Sequence, residues 1–310
     1  MTNVLYLDEN FSTTQLLTKE KPTIENHPDD KLHSALSLPE NRERQGEGGL
    51  RTKGYFKQSY TEKPLITVVT VVYNGEEHLE QTIKSVIEQS YVNVEYIIVD
   101  GGSSDGTLDI IKKYEEQIDY WVSEPDEGIY DAMNKGISLS TGDYVNFMNA
   151  DDWFEPKSLE LVANSSLATN SRYIFGDLNR LGVDNKTEIH KGDLKTYHKY
   201  TPIGHQALFV AKDVLKKIPF DTKYRIMADY DSMVKLIKQN FTYIYINKPI
   251  ATFRLGGVST IDNYKDIERF KIQYENFGLT SALLGYLKGT KQPIIYALTS
   301  RLLRIKKKYE

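Results

Sequence analysis

The segment Ile66-Thr-Val-Val-Thr-Val-Val72 constrains the fold more than any other stretch of the chain. It is β-branched throughout and apolar on both faces. Such a strand needs cover on each side, which reads as the interior of a parallel sheet with helices above and below. The residues that follow keep to that plan. Glu77 to Gln89 has helical spacing at Leu79, Ile83, Val86 and Ile87, and Val94 to Val99 is a second strand that ends in Asp100. A helix opens at Asp105, Tyr120 to Val122 makes a short third strand, Ile129 to Leu139 a helix, and Tyr144 to Phe147 a fourth strand. Strands alternating with helices at this spacing imply βαβ units with right-handed crossovers, an α/β fold.

The flanks differ in texture. Residues 1–62 are polar, broken by Pro22, Pro28 and Pro39, and carry the soft run Arg44-Gln-Gly-Glu-Gly-Gly49. They read as an extension, partly ordered at best, laid across the domain by Leu50 to Phe56. The main domain is expected over 63–260. Past Pro156 its pattern loosens: a helix over Leu159 to Leu167, an antiparallel pair from Tyr173–Phe175 and Leu178–Val183, helices over Val210–Lys217 and Asp229–Gln239, and a last strand over Phe241–Ile246. Residues 261–310 form a helical appendage. Its part from 281 onward is basic and amphipathic, with Lys288, Lys291, Arg301, Arg304 and Lys306 to Lys308 among apolar residues. Two readings fit: an interfacial helix pair attracted to anionic lipid, or a helix docked on the core with a solvated basic tail.

Net charge is −4, so a general nucleic-acid binder is not expected. The absence of cysteine excludes disulfides and thiolate chemistry and fits a reducing compartment. The acidic start Met1 to Asn10 does not resemble a signal peptide, and no run approaches the roughly 18 apolar residues of a membrane span. A cytoplasmic protein, peripheral on the inner membrane face if the basic segment binds lipid, is the expectation.

The chemistry gathers where the strands end. Tyr144-Val-Asn-Phe-Met-Asn-Ala-Asp-Asp152 is a strand finishing in a carboxylate pair, and adjacent carboxylates resist burial unless a cation or hydrogen bonds compensate. Side chains alternate faces in an extended segment, which makes Asp151 the better metal ligand. Asp152 is left to bind the metal's water or a sugar, or else to cap the segment from Glu155. Two more polar loops should meet this edge, Tyr73-Asn-Gly-Glu-Glu-His78 and Asp100-Gly-Gly-Ser-Ser-Asp-Gly-Thr107. Neither has dinucleotide or P-loop spacing. Tyr73 can stack on a base and Asp100 can accept from a base N–H, while Asp105 reads as a helix cap.

These segments, with Glu124-Pro-Asp-Glu-Gly-Ile-Tyr-Asp-Ala-Met-Asn-Lys-Gly136, Gly204-His-Gln206, Ala228-Asp-Tyr-Asp231 and Phe253-Arg-Leu-Gly-Gly-Val-Ser259, resemble family 2 glycosyltransferases of the GT-A fold over roughly residues 64–260. Bacterial members that build capsule, O-antigen or exopolysaccharide units are nearest in texture. The resemblance implies a nucleotide-binding α/β/α sandwich, mostly parallel, and a nucleotide-sugar donor, UDP by family frequency. It also implies Mn²⁺ or Mg²⁺, inversion at the anomeric carbon, and a saccharide or lipid-linked saccharide acceptor. By the same resemblance Tyr73 and Asn74 hold the base, Asp100 contacts it, Asp151 takes the metal position of an Asp-x-Asp motif, and Asp229 is the catalytic base. Two positions depart from the pattern: Gly101, where many relatives carry a second carboxylate, and Asn149, which opens the metal motif. His205 and Gln206 would line the acceptor and sugar pocket, unless they are structural. Arg254, with Gly256 and Gly257, would close a loop over the diphosphate, unless it pairs with an acid. Lys135 would reach a phosphate, unless it is solvated. A nucleotidyltransferase and a catalytically inactive carbohydrate-binding module are the alternatives; the first would release pyrophosphate rather than nucleoside diphosphate.

Overall fold

The computed structural model describes residues 4–256 and 264–289. The β-branched run forms a strand over Ile66–Val72 with all seven residues buried, and its neighbour over Val94–Asp100 is buried along its whole length too. Only a sheet covered on both faces allows this. In chain order the strands are β1 Gly46–Gly48, β2 Ile66–Val72, β3 Val94–Asp100, β4 Tyr120–Ser123 and β5 Tyr144–Asn149. Then come β6 Trp153–Phe154, β7 Tyr173–Leu181, β8 Thr187–His190, β9 Leu208–Ala211 and β10 Tyr243–Arg254. The helices are α1 Leu79–Ile87, α2 Thr107–Lys113, α3 Ile129–Leu139, α4 Ser158–Ala168, α5 Lys212–Lys217, α6 Ala228–Lys238 and α7 Tyr264–Gly289.

These strands make one mixed sheet in the order β1-β4-β3-β2-β5-β9-β7-β10-β6, with β8 hanging on β7. The central run β4-β3-β2-β5 is parallel, as are β7 and β10. Strand β9 is antiparallel to both β5 and β7 and reverses the sheet there. The loops after β2, β3, β4 and β5 therefore open on one edge, where an open α/β sheet binds its ligands.

The second half departs from expectation in three places. Residues 173–181 form one continuous strand rather than a hairpin, and the antiparallel partners of β7 are β8 and β9. The last strand runs on to Arg254, past register shifts at Pro249, because β7 lies alongside to receive it. Leu208–Ala211 is a strand, and the helix begins only at Lys212.

The N-terminal residues, expected to be partly ordered at best, are part of the core. Gly46 and Gly48 make room for an indole: a Cβ on Gly48 would stand 2.6 Å from Trp121 Nε1. The glycines thereby let β1 pair antiparallel with β4. Further on, Arg51 donates to Glu95 Oε1 at 2.7 Å and to the Leu36 and Leu139 carbonyls. Thr67 and Thr141 complete the shell of Glu95. Lys57, 2% exposed, donates to the Gln15 carbonyl and faces Asp119. Without Arg51 the carboxylate of Glu95 would be buried in β3 without its ion-pair partner, a cost of several kcal/mol. The segment before residue 62 is therefore part of what keeps β3 in place.

At the other end α7 docks through Ile272, Gln273 and Ala282, all fully buried, with a kink at Gly278. The two readings of the segment from residue 281 bear mainly on residues beyond this helix. Residues 290–310, which carry most of the basic run, lie outside the described residues. No helix among the described residues is long and apolar enough to cross a membrane.

Candidate active site

Asp229 sits in the first turn of α6, where the preceding loop is fixed by a long-range contact. Glu268 of α7 accepts the backbone N–H groups of Arg225, Ile226 and Met227 at 2.7, 2.9 and 3.0 Å. The Asp229 carboxylate is held from two sides. Its Oδ1 accepts from the Tyr230 N–H (2.8 Å) and the Tyr130 hydroxyl (3.1 Å), the latter shared with the Ile226 carbonyl. Its Oδ2 lies 3.4 Å from His205 Nδ1. Burial pushes this carboxyl up, but the bond and charge of His205, with the Tyr230 and Tyr130 bonds, outweigh it and hold it below the ordinary range. Asp229 is thus kept ionised, as a proton acceptor must be.

Asp151 and Asp152 have opposite fates. Asp152 is fully buried and both of its oxygens are occupied. Oδ2 accepts from Gln206 Nε2 at 2.7 Å, and Oδ1 from the Arg254 N–H at 3.0 Å. Burial and then the charge of Asp151 push Asp152 up to about 7. This carboxylate ties the ends of β5 and β10 to the turn at His205–Ala207, and nothing of it is left for a metal's water or a sugar. Gln206, 2% exposed, is committed to the same bond rather than to an acceptor pocket. Asp151 is only partly buried, and the charges around it are His78, Arg254 and His205. Burial raises its carboxyl, and those three groups lower it.

Buried polar atoms almost always find partners, so those that do not call for an explanation. Three of them lie at this edge: Asn149 Oδ1, His205 Nε2 and Arg254 Nε. The Arg254 guanidinium lies 5.1 Å from the centre of the Trp153 ring and donates to Gln81 Oε1 at 3.0 Å. Gly256 is the last described residue of its loop; Gly257 lies outside the described residues.

On the β2–β3 side, Tyr73 is 67% exposed at the end of its strand. Asn74 adopts a left-handed backbone (φ 50°) and ties two loops together, donating from N to Ser103 Oγ and accepting from the Ser104 N–H. Two expected contacts are redirected. Asp100 is fully buried, with hydrogen bonds from the Ser103 N–H, Ser103 Oγ and Ser123 Oγ at 3.1, 2.5 and 2.5 Å. It braces the loop and has no free edge for a base. The Lys135 ammonium faces Glu124 at 3.3 Å and Asp131 at 3.4 Å and donates to the Pro125 carbonyl, so it holds the loop after β4. Both follow from one rule: a charge taken out of water recruits partners from the protein.

The sequence model described as "Glycosyl transferase family 2" matches residues 67–212. A putative teichuronic acid biosynthesis glycosyltransferase, TuaG of Bacillus subtilis, is 30% identical over 67% of this chain and 90% of its own. The chain belongs to glycosyl transferase family 2. It is therefore a glycosyltransferase. An uncharacterized glycosyltransferase of Haemophilus influenzae is 28% identical over 76% of this chain and 95% of its own. In fold, the chain is similar to the 1–349 fragment of S. aureus TarS solved with UDP-GlcNAc, with TM-score 0.57 and 16% identity. That match covers 74% of this chain and 68% of the other. In this family 2 glycosyltransferase the groups at the candidate site are also held by Tyr130, Gln81, Trp153 and Glu268, which the sequence does not single out. Tyr130 lay inside a segment that resembles the family. Glu268 gave no signal, because its partners are backbone groups some 40 residues away.

Proposed function

We propose that this glycosyltransferase is metal-dependent and inverting, and that it moves a sugar from a nucleotide-sugar, a UDP-sugar by default, to a hydroxyl of a saccharide or lipid-linked saccharide. The setting is surface polysaccharide synthesis, supported by the similarity to a putative teichuronic acid biosynthesis enzyme, TuaG, and its place is the cytoplasmic face of the membrane. The observation that carries the reading is the cluster of unpartnered polar atoms beside Asp151 and Asp229, which a charged ligand would satisfy.

The residues at the end of β5 fit a divalent ion. Asn149 Oδ1 is a buried oxygen with no partner, and Asp151 is a partly open carboxylate. Among the described residues no three His, Cys, Asp or Glu side chains form a cation cage. Mg²⁺, or Mn²⁺ in the same role, usually takes one or two carboxylates together with waters and substrate phosphate. Bound there, the ion would act as a Lewis acid on the departing nucleoside diphosphate. Arg254, braced on Trp153 and Gln81, adds a fixed positive charge for the same leaving group. Tyr73 offers a stacking face to the base. Asp229, held ionised and oriented by Tyr130 and the Tyr230 N–H, takes the proton of the acceptor hydroxyl as it attacks from the face opposite the diphosphate. Asp100, Asp152, Gln206 and Lys135 position these groups without touching substrate.

A thermal-shift screen of nucleotide sugars with and without Mn²⁺ tests the donor and the metal together, since a ligand of the native state raises apparent stability. Product analysis then decides the reaction. Release of nucleoside diphosphate supports transfer of the sugar, whereas pyrophosphate would establish nucleotidyl transfer instead. The basic segment 281–310 is proposed to draw the enzyme to anionic lipid. Equal pelleting with anionic liposomes in its presence and absence would remove that part.

A further inference from the structure

The loop after β3 carries two glycines, Gly101 and Gly102, and neither can contribute a side chain to a ligand; the Gly101 N–H donates at 2.9 Å to the carbonyl of Val72, the residue before Tyr73. The space their side chains would take is filled from elsewhere. A Cβ on Gly101 would stand 2.5 Å from Asp126 Oδ2, and one on Gly102 would stand 3.4 Å from Gln45 Nε2. Asp126 belongs to the loop after β4. Gln45 belongs to the N-terminal segment, outside the residues matched by the family model. Both are held by backbone. Gln45 N donates to the Ser123 carbonyl at 2.8 Å, and Arg44 pairs with Glu124 at 2.8 Å, which fastens the segment to the loop that carries Asp126. The Gly128 N–H donates to Asp126 Oδ1 at 2.8 Å, while Oδ2 accepts no hydrogen bond among the described residues. The Gln45 amide is exposed and likewise uncommitted. Asp100, one strand deeper, has its oxygens filled by Ser103 and Ser123.

We infer that Asp126 and Gln45 read the base of the donor nucleotide, so that the N-terminal segment supplies one wall of the donor pocket. This rests on the reading of the chain as a nucleotide-sugar enzyme. The chemistry selects a class of base. A carboxylate oxygen accepts, so it favours a ring N–H and repels a ring nitrogen lone pair; the amide NH₂ then donates to the neighbouring carbonyl oxygen. Uracil and guanine present an N–H next to a carbonyl. Cytosine and adenine present a lone pair at the corresponding ring nitrogen. The hydrogen bonds lost with the wrong base, and the ring lone pair then set against the carboxylate, give such discrimination its size.

The test is calorimetric titration of the full chain, in Mn²⁺, with UDP, GDP, CDP and ADP. The wild type should bind UDP or GDP at least about tenfold more tightly than CDP and ADP. Asp126→Asn and Gln45→Ala should each narrow that ratio, Asp126→Asn by about tenfold. Gly101→Ala, whose new methyl displaces the Asp126 carboxylate, should do the same without changing any charge. Melting curves of each variant confirm that it is folded. Binding of no nucleoside diphosphate by the wild type would sink the functional reading and the inference with it. Nucleotide binding with no preference among bases, or a preference that survives all three substitutions, would overturn the inference and leave the functional reading standing.

Discussion

Two sets of carboxylates share the same edge of the sheet, and they are built on opposite plans. Asp100 and Asp152 are closed: fully buried, with both oxygens taken by Ser103 and Ser123 or by Gln206 and the Arg254 N–H. Asp151 and Asp229 are open. They keep some exposure and lie among polar atoms that the protein leaves unpartnered. Closed acids lock loops from different strands into one frame, and in the proposed site the open acids use that frame to hold charge toward a substrate. Position at a strand terminus does not separate the two sets, since both occur there; the partners do.

The contrast breaks most visibly at Asp229. In Asp229→Asn the amide oxygen still accepts from Tyr130 and the Tyr230 N–H, so the fold persists while the proton acceptor is gone. Turnover, read as nucleoside diphosphate release in the presence of acceptor, should fall about 10²- to 10⁴-fold with the melting temperature little changed. Near-normal turnover would move the base elsewhere, with His205 the first residue to examine.

A paired experiment at the end of β5 sharpens it further. Asp151→Ala should weaken the Mn²⁺ dependence of turnover by at least about 10- to 100-fold while stability holds. Asp152→Ala should lose about 1–3 kcal/mol of unfolding free energy, because the Gln206 amide and the Arg254 N–H are left without an acceptor. If the two variants behave alike in denaturant and in metal titration, the distinction between open and closed acids is wrong.

How far the sequence discloses this plan depends on where the partners lie. The parallel half is legible because β2 is β-branched on both faces and its neighbours alternate with helices, and the burial of Ile66–Val72 follows from composition. The fates of Asp151 and Asp152 are not read correctly from the alternation of an extended chain, because β5 ends at Asn149 and a turn follows, closed by the Asp152 N–H on the Asn149 carbonyl. Nor is the closed state of Asp100 and Asp152 legible. Their partners Ser123 and Gln206 come from other strands and turns, and local sequence carries no record of that pairing. The glycines at 46 and 48 mislead for a related reason. They read as flexible until the Trp121 ring, more than 70 residues away, is found in the space they vacate. The continuity of β7 through Gly176 was hidden in the same way, since it depends on β10 lying beside it.

A smaller effect is expected at the exposed aromatic. Tyr73 touches the donor, in the proposed site, only by stacking, and its loss should weaken nucleotide binding by about 1–3 kcal/mol, most plainly for the isolated nucleoside diphosphate. Tyr73→Phe should retain that affinity and Tyr73→Ala should not. Equal losses in both would make the hydroxyl, rather than the ring face, the contact.

The last test concerns a closed acid far from the edge, where the effect is spread over several pH units. Asp119 faces Lys57 beneath the N-terminal segment and accepts the Tyr96 N–H at 2.8 Å. Burial, which outweighs the opposing charge of Lys57, pushes its carboxyl up from 3.8 to about 7, with Glu95 adding to the rise. Between those two values the native chain keeps a proton that the unfolded chain has released. The unfolded state therefore binds fewer protons, and the stability contributed by this group falls as pH rises through that window. Asp119→Asn cannot titrate. The difference in unfolding free energy, wild type minus variant, measured by urea denaturation at steps from pH 4 to pH 7, should accordingly decline with pH, by at most about 1.4 kcal/mol per unit for one proton. A difference that stays level, or rises, would mean that the N-terminal segment presents enough positive charge to keep Asp119 ionised, and that the acid is closed by charge pairing rather than by burial.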